Sequence, residues 1–335
     1  MAIKVGINGF GRIGRLVFRR LLESNDLEVA AVNDIAPLDN LAYLLRHDST
    51  QHPPDAAISI TGDSLRFNGT EVRFTSERDP AKLPWSELGV DIAVEATGLF
   101  RSRADASKHL EAGAQRVVIT APAKEPDITI CMGVNHERFD AGEHHLLSCA
   151  SCTTNCLAPV AKVLNDSFGI VRGFLTTVHA YTSSQAIVDS PASKWRRGRA
   201  GAVNIVPTTT GAALATTEVI PELEGRLDGL AIRVPVAVGS IVDFVARTER
   251  ELDVESVNNV LREAAGSASM RGVLGVSDDE LVSSDIVGCS YSSLVDAPST
   301  MALGDHTVKV LAWYDNEFGY SQRVVDLVAY TAAAG

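Results

Sequence analysis

Val5-Gly6-Ile7-Asn8-Gly9-Phe10-Gly11-Arg12-Ile13-Gly14 is the stretch on which the fold turns. Val5 to Ile7 reads as a buried strand. Ile13 to Leu22 reads as a helix, with Ile13, Leu16, Val17 and Leu21 on one face. Between them lies G-x-G-x-x-G, in which one glycine makes a tight turn, one lets a pyrophosphate approach the backbone and one lets helix and strand pack closely. Phosphates then sit where free N–H groups and the helix dipole favour negative charge. Val29 to Val32 reads as the next strand, and Asp34 follows it, twenty positions beyond Gly14. A carboxylate there accepts from ribose hydroxyls and repels a 2′-phosphate. Asn33-Asp34 also suits a plain turn, but strand, glycines, helix, strand and acid in this order point to NAD, with NADP as a weaker second cofactor.

Working outward, Leu41–Leu45 suggests a helix, and Asp91–Ala96 and Val117–Thr120 suggest further strands with helical text between them. This alternation is the mark of parallel βαβ units. After about residue 150 the texture changes. A helix is expected over Thr153–Asp166, where Pro159 is tolerable only in the opening turns. Strands with period-two alternation follow at Phe174–His179, Ala231–Val238, Ile241–Glu249 and Val308–Tyr314, with helices at Val254–Ala265 and Tyr320–Ala334. The fold class is therefore α/β: a Rossmann-type dinucleotide-binding domain plus an α+β catalytic domain with a mixed or antiparallel sheet. The expected division is 1–151 and 152–315, with a C-terminal helix at about 316–335 packing back onto the first domain. The stretch Ser183–Gly201, dense in Gly, Ser, Pro and Arg, reads as a long ordered loop.

Composition narrows the function classes. The chain has 335 residues, room for two domains, and no apolar run suited to a membrane span or signal peptide. Five cysteines, an odd number in a large chain, argue against a disulfide framework and for a cytoplasmic protein. A formal net charge of −12 disfavours nucleic-acid binding and makes the local cluster Arg196, Arg197 and Arg199 informative. Such a cluster also suits an ordinary solvated surface.

Ser151-Cys152-Thr153-Thr154-Asn155 opens an amphipathic helix, where positive potential stabilises a thiolate. His179, at the tip of an apolar strand, is a candidate proton carrier for it. Free cysteine is more often a small buried hydrophobe. Cys149-Ala150-Ser151-Cys152, with Cys156 beyond, also permits a redox pair; a zinc site lacks a fourth ligand and a second C-x-x-C, so no metal is expected. Thr208-Thr209-Thr210-Gly211, before a helix, and Arg233, at a strand edge, suit phosphate.

These residues carry a resemblance. Ile7–Arg15, Val94-Glu95-Ala96-Thr97-Gly98, Thr120–Lys124, Ala150–Cys156, Val178–Thr182, Pro207–Ala213 and Trp313–Ser321 together resemble phosphorylating glyceraldehyde-3-phosphate dehydrogenases over nearly the whole chain. The resemblance implies oxidation of glyceraldehyde 3-phosphate to 1,3-bisphosphoglycerate with NAD, through a thioester on Cys152, with His179 as base. It implies that Thr182, Arg197 and Arg233 hold the substrate's phosphate. Ser151, Thr153, Thr210 and Gly211 would hold inorganic phosphate. Gly9, Phe10, Gly11, Arg12, Ile13, Gly14, Asp34, Arg78, Thr97, Gly98, Thr120, Asn316 and Tyr320 would line the cofactor site. It further implies a homotetramer. Cys149, Ser183-Ser184 and Gln322 depart from the family's usual residues. The alternatives are an erythrose-4-phosphate dehydrogenase of the same family and an NAD-binding redox sensor using Cys149 and Cys152.

Overall fold

A computed structural model describes residues 2–52 and 55–334. Positions 1 and 335, the outer ends of the first expected domain and of the C-terminal helix, lie outside it. The chain divides into two compact units, residues 1–130, 137–150 and 321–335 in one, and 131–136 and 151–320 in the other.

The first unit is built on nine strands: β1 (Ile3–Asn8), β2 (Leu27–Asn33), β3 (Ile58–Thr61), β4 (Ser64–Phe67), β5 (Thr70–Thr75), β6 (Ile92–Glu95), β7 (Arg116–Ile119), β8 (Ile128–Thr129) and β9 (Leu146–Ser148). Their order is β3-β4-β5-β2-β1-β6-β7-β9-β8. From β5 to β8 every pairing is parallel. The chain runs outward from β1 through β2 on one side and returns to β6 on the other, so β1 and β6 flank the topological switch point where such sheets bind ligands.

The glycine reading holds sterically. Gly9 has φ +98°, and a Cβ on it would lie 2.7 Å from Thr97 N. A Cβ on Gly14 would lie 2.0 Å from the Gly9 carbonyl oxygen, so any side chain there pries the helix Arg12–Leu21 off β1. Gly11 faces open space. The antiparallel ribbon β3-β4-β5 has no counterpart in the βαβ reading; it is turned by Gly62 and by Asn68-Gly69, all at positive φ.

The second unit carries β10 (Ile170–Ala180), β11 (Val206–Thr209), β12 (Leu227–Val234), β13 (Ser240–Thr248), β14 (Leu274–Ser277), β15 (Ser293–Asp296), β16 (Met301–Ala302) and β17 (Thr307–Tyr314). The order is β11-β12-β10-β13-β17-β15-β14, with β16 beside β17. The sheet is mixed: β10–β12 and β14–β15 are parallel and the rest antiparallel. On β10, Leu175, Thr177 and His179 are buried while Phe174 beside them is exposed, the alternation of a sheet covered on one face.

Two expectations need correction. The helix runs Cys152–Phe168 with Pro159 in its middle, not in its opening turns. Proline forfeits one backbone hydrogen bond at a cost of about 3 kcal/mol, and here the buried surface of a helix packed on nearly every side outweighs it. The strand expected at Ala231–Val238 is β12, ending at Val234. Pro235 has no N–H for the ladder, and Gly239, at φ +93°, turns the chain into β13. The C-terminal helix is Phe318–Ala333; within the first unit it is tied by Arg20 Nε donating to Gln322 Oε1 (2.7 Å) and by Arg116 donating to the Thr331 carbonyl.

Candidate active site

In the first unit, a crevice of about 300 Å³ opens at the switch point, lined among others by Gly9, Gly11, Asp34, Arg78 and Thr97. Ile35, Glu77, Leu99 and Phe100 also line it, and no motif had singled them out. Asp34 Oδ2 accepts from the Phe10 N–H (2.7 Å) and Oδ1 from the Ala36 N–H (2.9 Å), which fixes the carboxylate at the rim. The open space at Gly11, the first-turn N–H groups behind it and this carboxylate suit a dinucleotide. The Phe10 ring is fully buried edge-on against Phe18 and Phe74. Arg12 pairs with Asp48 (2.8 Å). The Thr120 hydroxyl donates to the Glu95 carbonyl (3.1 Å). Ile13 and Gly98 stand near the glycine loop and the end of β6 in sequence and do not line the crevice.

In the second unit, Ala150-Ser151 leads into the long helix, and Ala150 itself, the last residue of the first unit, has φ +54°. A non-glycine residue in this region stores strain of about 1 kcal/mol, the kind that collects at functional turns. Ser151 caps the helix, its Oγ accepting from the Thr154 N–H (3.0 Å). Cys152 is the first helical residue, and its Sγ lies 3.5 Å from His179 Nε2. His179 comes from the end of β10. Its Nδ1 is 2.7 Å from the Ala180 carbonyl oxygen and 2.8 Å from Arg233 Nη1, which also donates to that carbonyl (2.9 Å). Arg233 only donates and the carbonyl only accepts, so Nδ1 serves one of them at a time; the tautomer that gives its Nδ1 proton to the carbonyl is the one that leaves the Nε2 lone pair facing the thiol. Register explains the convergence, since His179 stands opposite Arg233 across the β10–β12 pair.

Burial dominates the electrostatics. It pushes the Cys152 thiol up, against the pull of Arg233 and of the first-turn hydrogen bonds. It pushes the His179 imidazole down to about 3, with the Arg233 cation adding in the same direction. Both shifts favour the neutral pair over the thiolate that the helix terminus stabilises, because desolvation acts against either charge. Cys156, one turn along, is driven far up by burial and faces Ser293 and the Ala312 carbonyl, so it is a packing residue. No disulfide joins the five cysteines, and Cys149 is among the buried ones.

The depressed imidazole has a consequence for stability. Unfolded histidine titrates near 6.5, whereas His179 in the fold titrates at about 3. Between these values the unfolded chain binds the extra proton, so stability rises with pH across the window and is lost as pH falls from about 6.5 toward 3. His179→Asn is expected to flatten the acid limb of a denaturant-midpoint profile by up to one proton's worth of slope. An unchanged profile would show that His179 is not held neutral.

Arg197 is clamped by Thr208 Oγ1 (3.0 Å), the Thr209 carbonyl (3.3 Å) and Ser184 Oγ (3.4 Å), and Ser184 also meets Thr182 Oγ1 (2.8 Å). No carboxylate lies within ion-pair distance of Arg197 or Arg233 among the described residues, although the chain carries twelve excess negative charges. Cations left unpaired in an acidic protein mark an anion site. Of the arginine cluster, Arg199 is neutralised by Asp189 (2.7 Å) and only Arg197 turns onto the threonines. Thr210 Oγ1 accepts from the Ala212 N–H (3.1 Å), and Gly211, with open space at its Cα, begins the helix Ala212–Val219. Thr153 is committed to Tyr314, whose hydroxyl also meets Thr177 and whose ring packs edge-on to His179 (5.8 Å). Ser240 accepts from the Ala180 N–H (3.1 Å) and donates to Asn316 Oδ1 (2.9 Å). Tyr320 is buried. Ser240 carried no motif signal of its own; only strand register brings it here.

A switch-point crevice suited to a dinucleotide and a thiol–imidazole pair beside arginines without carboxylate partners lie on one chain, an arrangement that suits a dehydrogenase. Residues 3–103 match the glyceraldehyde 3-phosphate dehydrogenase NAD binding domain and residues 151–316 the C-terminal domain of the same family. The chain is 56% identical to the glyceraldehyde-3-phosphate dehydrogenase of Geobacillus stearothermophilus over the full length of both. It is 51% identical to that of Streptomyces coelicolor, covering 98% of each chain. It is 49% identical to that of Podospora anserina, over 99% of this chain and 98% of the other. The protein belongs to the glyceraldehyde 3-phosphate dehydrogenase family.

Proposed function

We propose that this chain oxidises glyceraldehyde 3-phosphate with NAD and inorganic phosphate, giving 1,3-bisphosphoglycerate. The observation that carries the reading is the Sγ–Nε2 approach of 3.5 Å beside two arginines without carboxylate partners. Residues 1–151 with the C-terminal helix serve as the NAD-binding domain and 152–315 as the catalytic domain. Arg197, Arg233 and Thr182 hold the substrate's phosphate, which fixes the aldehyde over Cys152.

The Cys152 sulfur adds to the carbonyl carbon while His179 Nε2 takes the thiol proton and returns it to the alkoxide, forming a hemithioacetal. Asn316 would orient the nicotinamide of NAD, which when bound would supply the hydride acceptor. His179 removes the hydroxyl proton as the carbon is oxidised, leaving an acyl thioester on Cys152. Phosphate held by Ser151, Thr153, Thr210 and Gly211 attacks that carbonyl; the C–S bond breaks, and the thiolate recovers its proton from the imidazolium. Covalent capture keeps the oxidation energy in an acyl bond rather than losing it to water. The neutral resting pair suits this cycle, because a base must be unprotonated to accept.

The cytoplasm is the expected compartment, and among the described residues no helix is long and apolar enough to cross a membrane. A homotetramer is supported by apolar surface: Phe174 (66% exposed) and Leu230 (44%) on the uncovered sheet face, and Ile187, Trp195, Val203 and Ile205 (70–89%) on and beside the 183–201 loop.

The test is NADH formation from glyceraldehyde 3-phosphate with saturating phosphate, repeated without phosphate and with NADP. The expected result is phosphate-dependent NADH formation, slower with NADP because Asp34 repels the 2′-phosphate. An unchanged rate without phosphate would make an acid-forming relative, such as an erythrose-4-phosphate dehydrogenase, the better description.

A further inference from the structure

Four neighbouring parallel strands of the first unit end in polar residues that stand in register: Thr75 on β5, Asn33 on β2, Asn8 on β1 and Glu95 on β6. Their side chains form one continuous chain. The Thr75 hydroxyl and the Glu77 N–H donate to Asn33 Oδ1 (2.9 and 2.8 Å). Asn33 Nδ2 donates to Asn8 Oδ1 (2.8 Å) and to the Glu77 carbonyl (2.9 Å). Asn8 Nδ2 donates to Glu95 Oε2 (2.6 Å). Glu95 Oε1 accepts from the Thr97 N–H (2.8 Å) and from the Thr97 hydroxyl. His109 Nε2 lies 3.0 Å from Glu95 Oε2, and Trp85 Nε1 lies 3.0 Å from His109 Nδ1.

The direction of every bond is forced. Indole N–H only donates, so His109 Nδ1 accepts and its proton sits on Nε2, pointing at Glu95. Glu95 therefore faces four donors and acts as acceptor to all of them. Asn8 must turn its amino group toward Glu95 and its oxygen toward Asn33, and Asn33 must follow. Asn8, Asn33, Glu95, His109 and Trp85 are each at most 2% exposed, so water replaces none of these bonds. Such a belt is expensive unless complete, and complete it is rigid.

Each link is followed by cofactor-crevice backbone: Gly9 after Asn8, Asp34 after Asn33, Thr97 two residues after Glu95. We propose that this belt, with Glu95 as its terminal acceptor, pre-organises the dinucleotide crevice, so that NAD affinity depends on Glu95 acting as a positioning residue through Asn8, Asn33 and Thr97. The inference rests on the NAD reading above. It assigns a role to a buried carboxylate that the mechanism leaves unused.

Calorimetric NAD titration tests it, at a temperature where each variant is folded by circular dichroism. Glu95→Gln sets an NH₂ group against donors whichever way the amide turns. An unmade buried hydrogen bond costs about 1–3 kcal/mol, so Kd is expected to rise roughly tenfold to a hundredfold. Asn8→Asp sets two carboxylates face to face and weakens binding at least as much. When Asn8→Asp and Glu95→Gln are combined, the carboxylate introduced at position 8 accepts both from the new amide at position 95 and from Asn33. That pair of changes restores a donor facing an acceptor at this link while the His109 N–H still faces the new amide, so binding recovers in part relative to either single variant. A folded Glu95→Gln protein with Kd within twofold of the parent, or a double variant no tighter than the singles, overturns the proposal; a belt that merely stabilised the fold would lower the melting temperature alone. If Glu95→Gln does not fold, Thr75→Val cuts the belt at its outer end, and unchanged affinity there is equally fatal. Failure of the parent chain to bind NAD at all would instead sink the cofactor reading.

Discussion

Cys152→Ala is expected to lower turnover with glyceraldehyde 3-phosphate, NAD and phosphate by about 10⁵-fold or more, the scale at which removing a covalent nucleophile costs an enzyme its chemistry. Alanine loses only the sulfur at the helix start. The Ser151 cap, the strained Ala150 and the His179–Arg233 contacts do not depend on it. The dinucleotide crevice lies on the other unit's sheet, so NAD affinity is expected to stay within about twofold. Stopped-flow mixing with limiting phosphate supplies the positive control: the parent should give a burst of NADH and an acyl adduct on Cys152 by mass spectrometry, and the variant neither. Turnover near the parent level in Cys152→Ala would remove the thioester from the mechanism.

His179→Asn is the second large effect, expected to cost on the order of 10²–10⁴ in kcat, the range for a positioned acid–base group. Asparagine keeps a polar side chain near the Ala180 carbonyl and Arg233 but has no lone pair that can take the thiol proton. Since burial holds the Cys152 thiol up, the variant has no thiolate at neutral pH except what the medium extracts, and its rate should climb as pH rises into the alkaline range. A loss under threefold, with the parent's pH–rate profile, would leave His179 only a packing role against Tyr314.

Much of the nucleotide unit was legible because its signals are local. A Cβ on Gly14 would strike the Gly9 carbonyl within the same turn, so steric necessity is written into the spacing. Asn68-Gly69 was equally local, a two-residue hairpin signal, yet the short flanking strands are half-exposed and their alternation is faint. Boundaries slipped where a tertiary cost was offset elsewhere: Pro159 is a local breaker that a densely packed helix overrides, whereas Pro235 ended its strand because no packing can supply a missing N–H.

The sequence by itself determined the class of sheet, the glycine turn, the acid after the second strand, and the identities of Cys152 and His179 as a thiol and an imidazole at element ends. Those follow from spacing within a few residues, where chain geometry leaves little freedom. Only the tertiary structure decided that Cys152 meets His179 at 3.5 Å, that Arg233 stands across the ladder from that histidine, and that burial favours the neutral form of both members of the pair. It alone decided that Arg197 rather than Arg199 is left without a carboxylate, and that four strand ends join in one polar belt. Pairing distance, desolvation and charge compensation depend on which residues fold against one another, and sequence spacing does not record that.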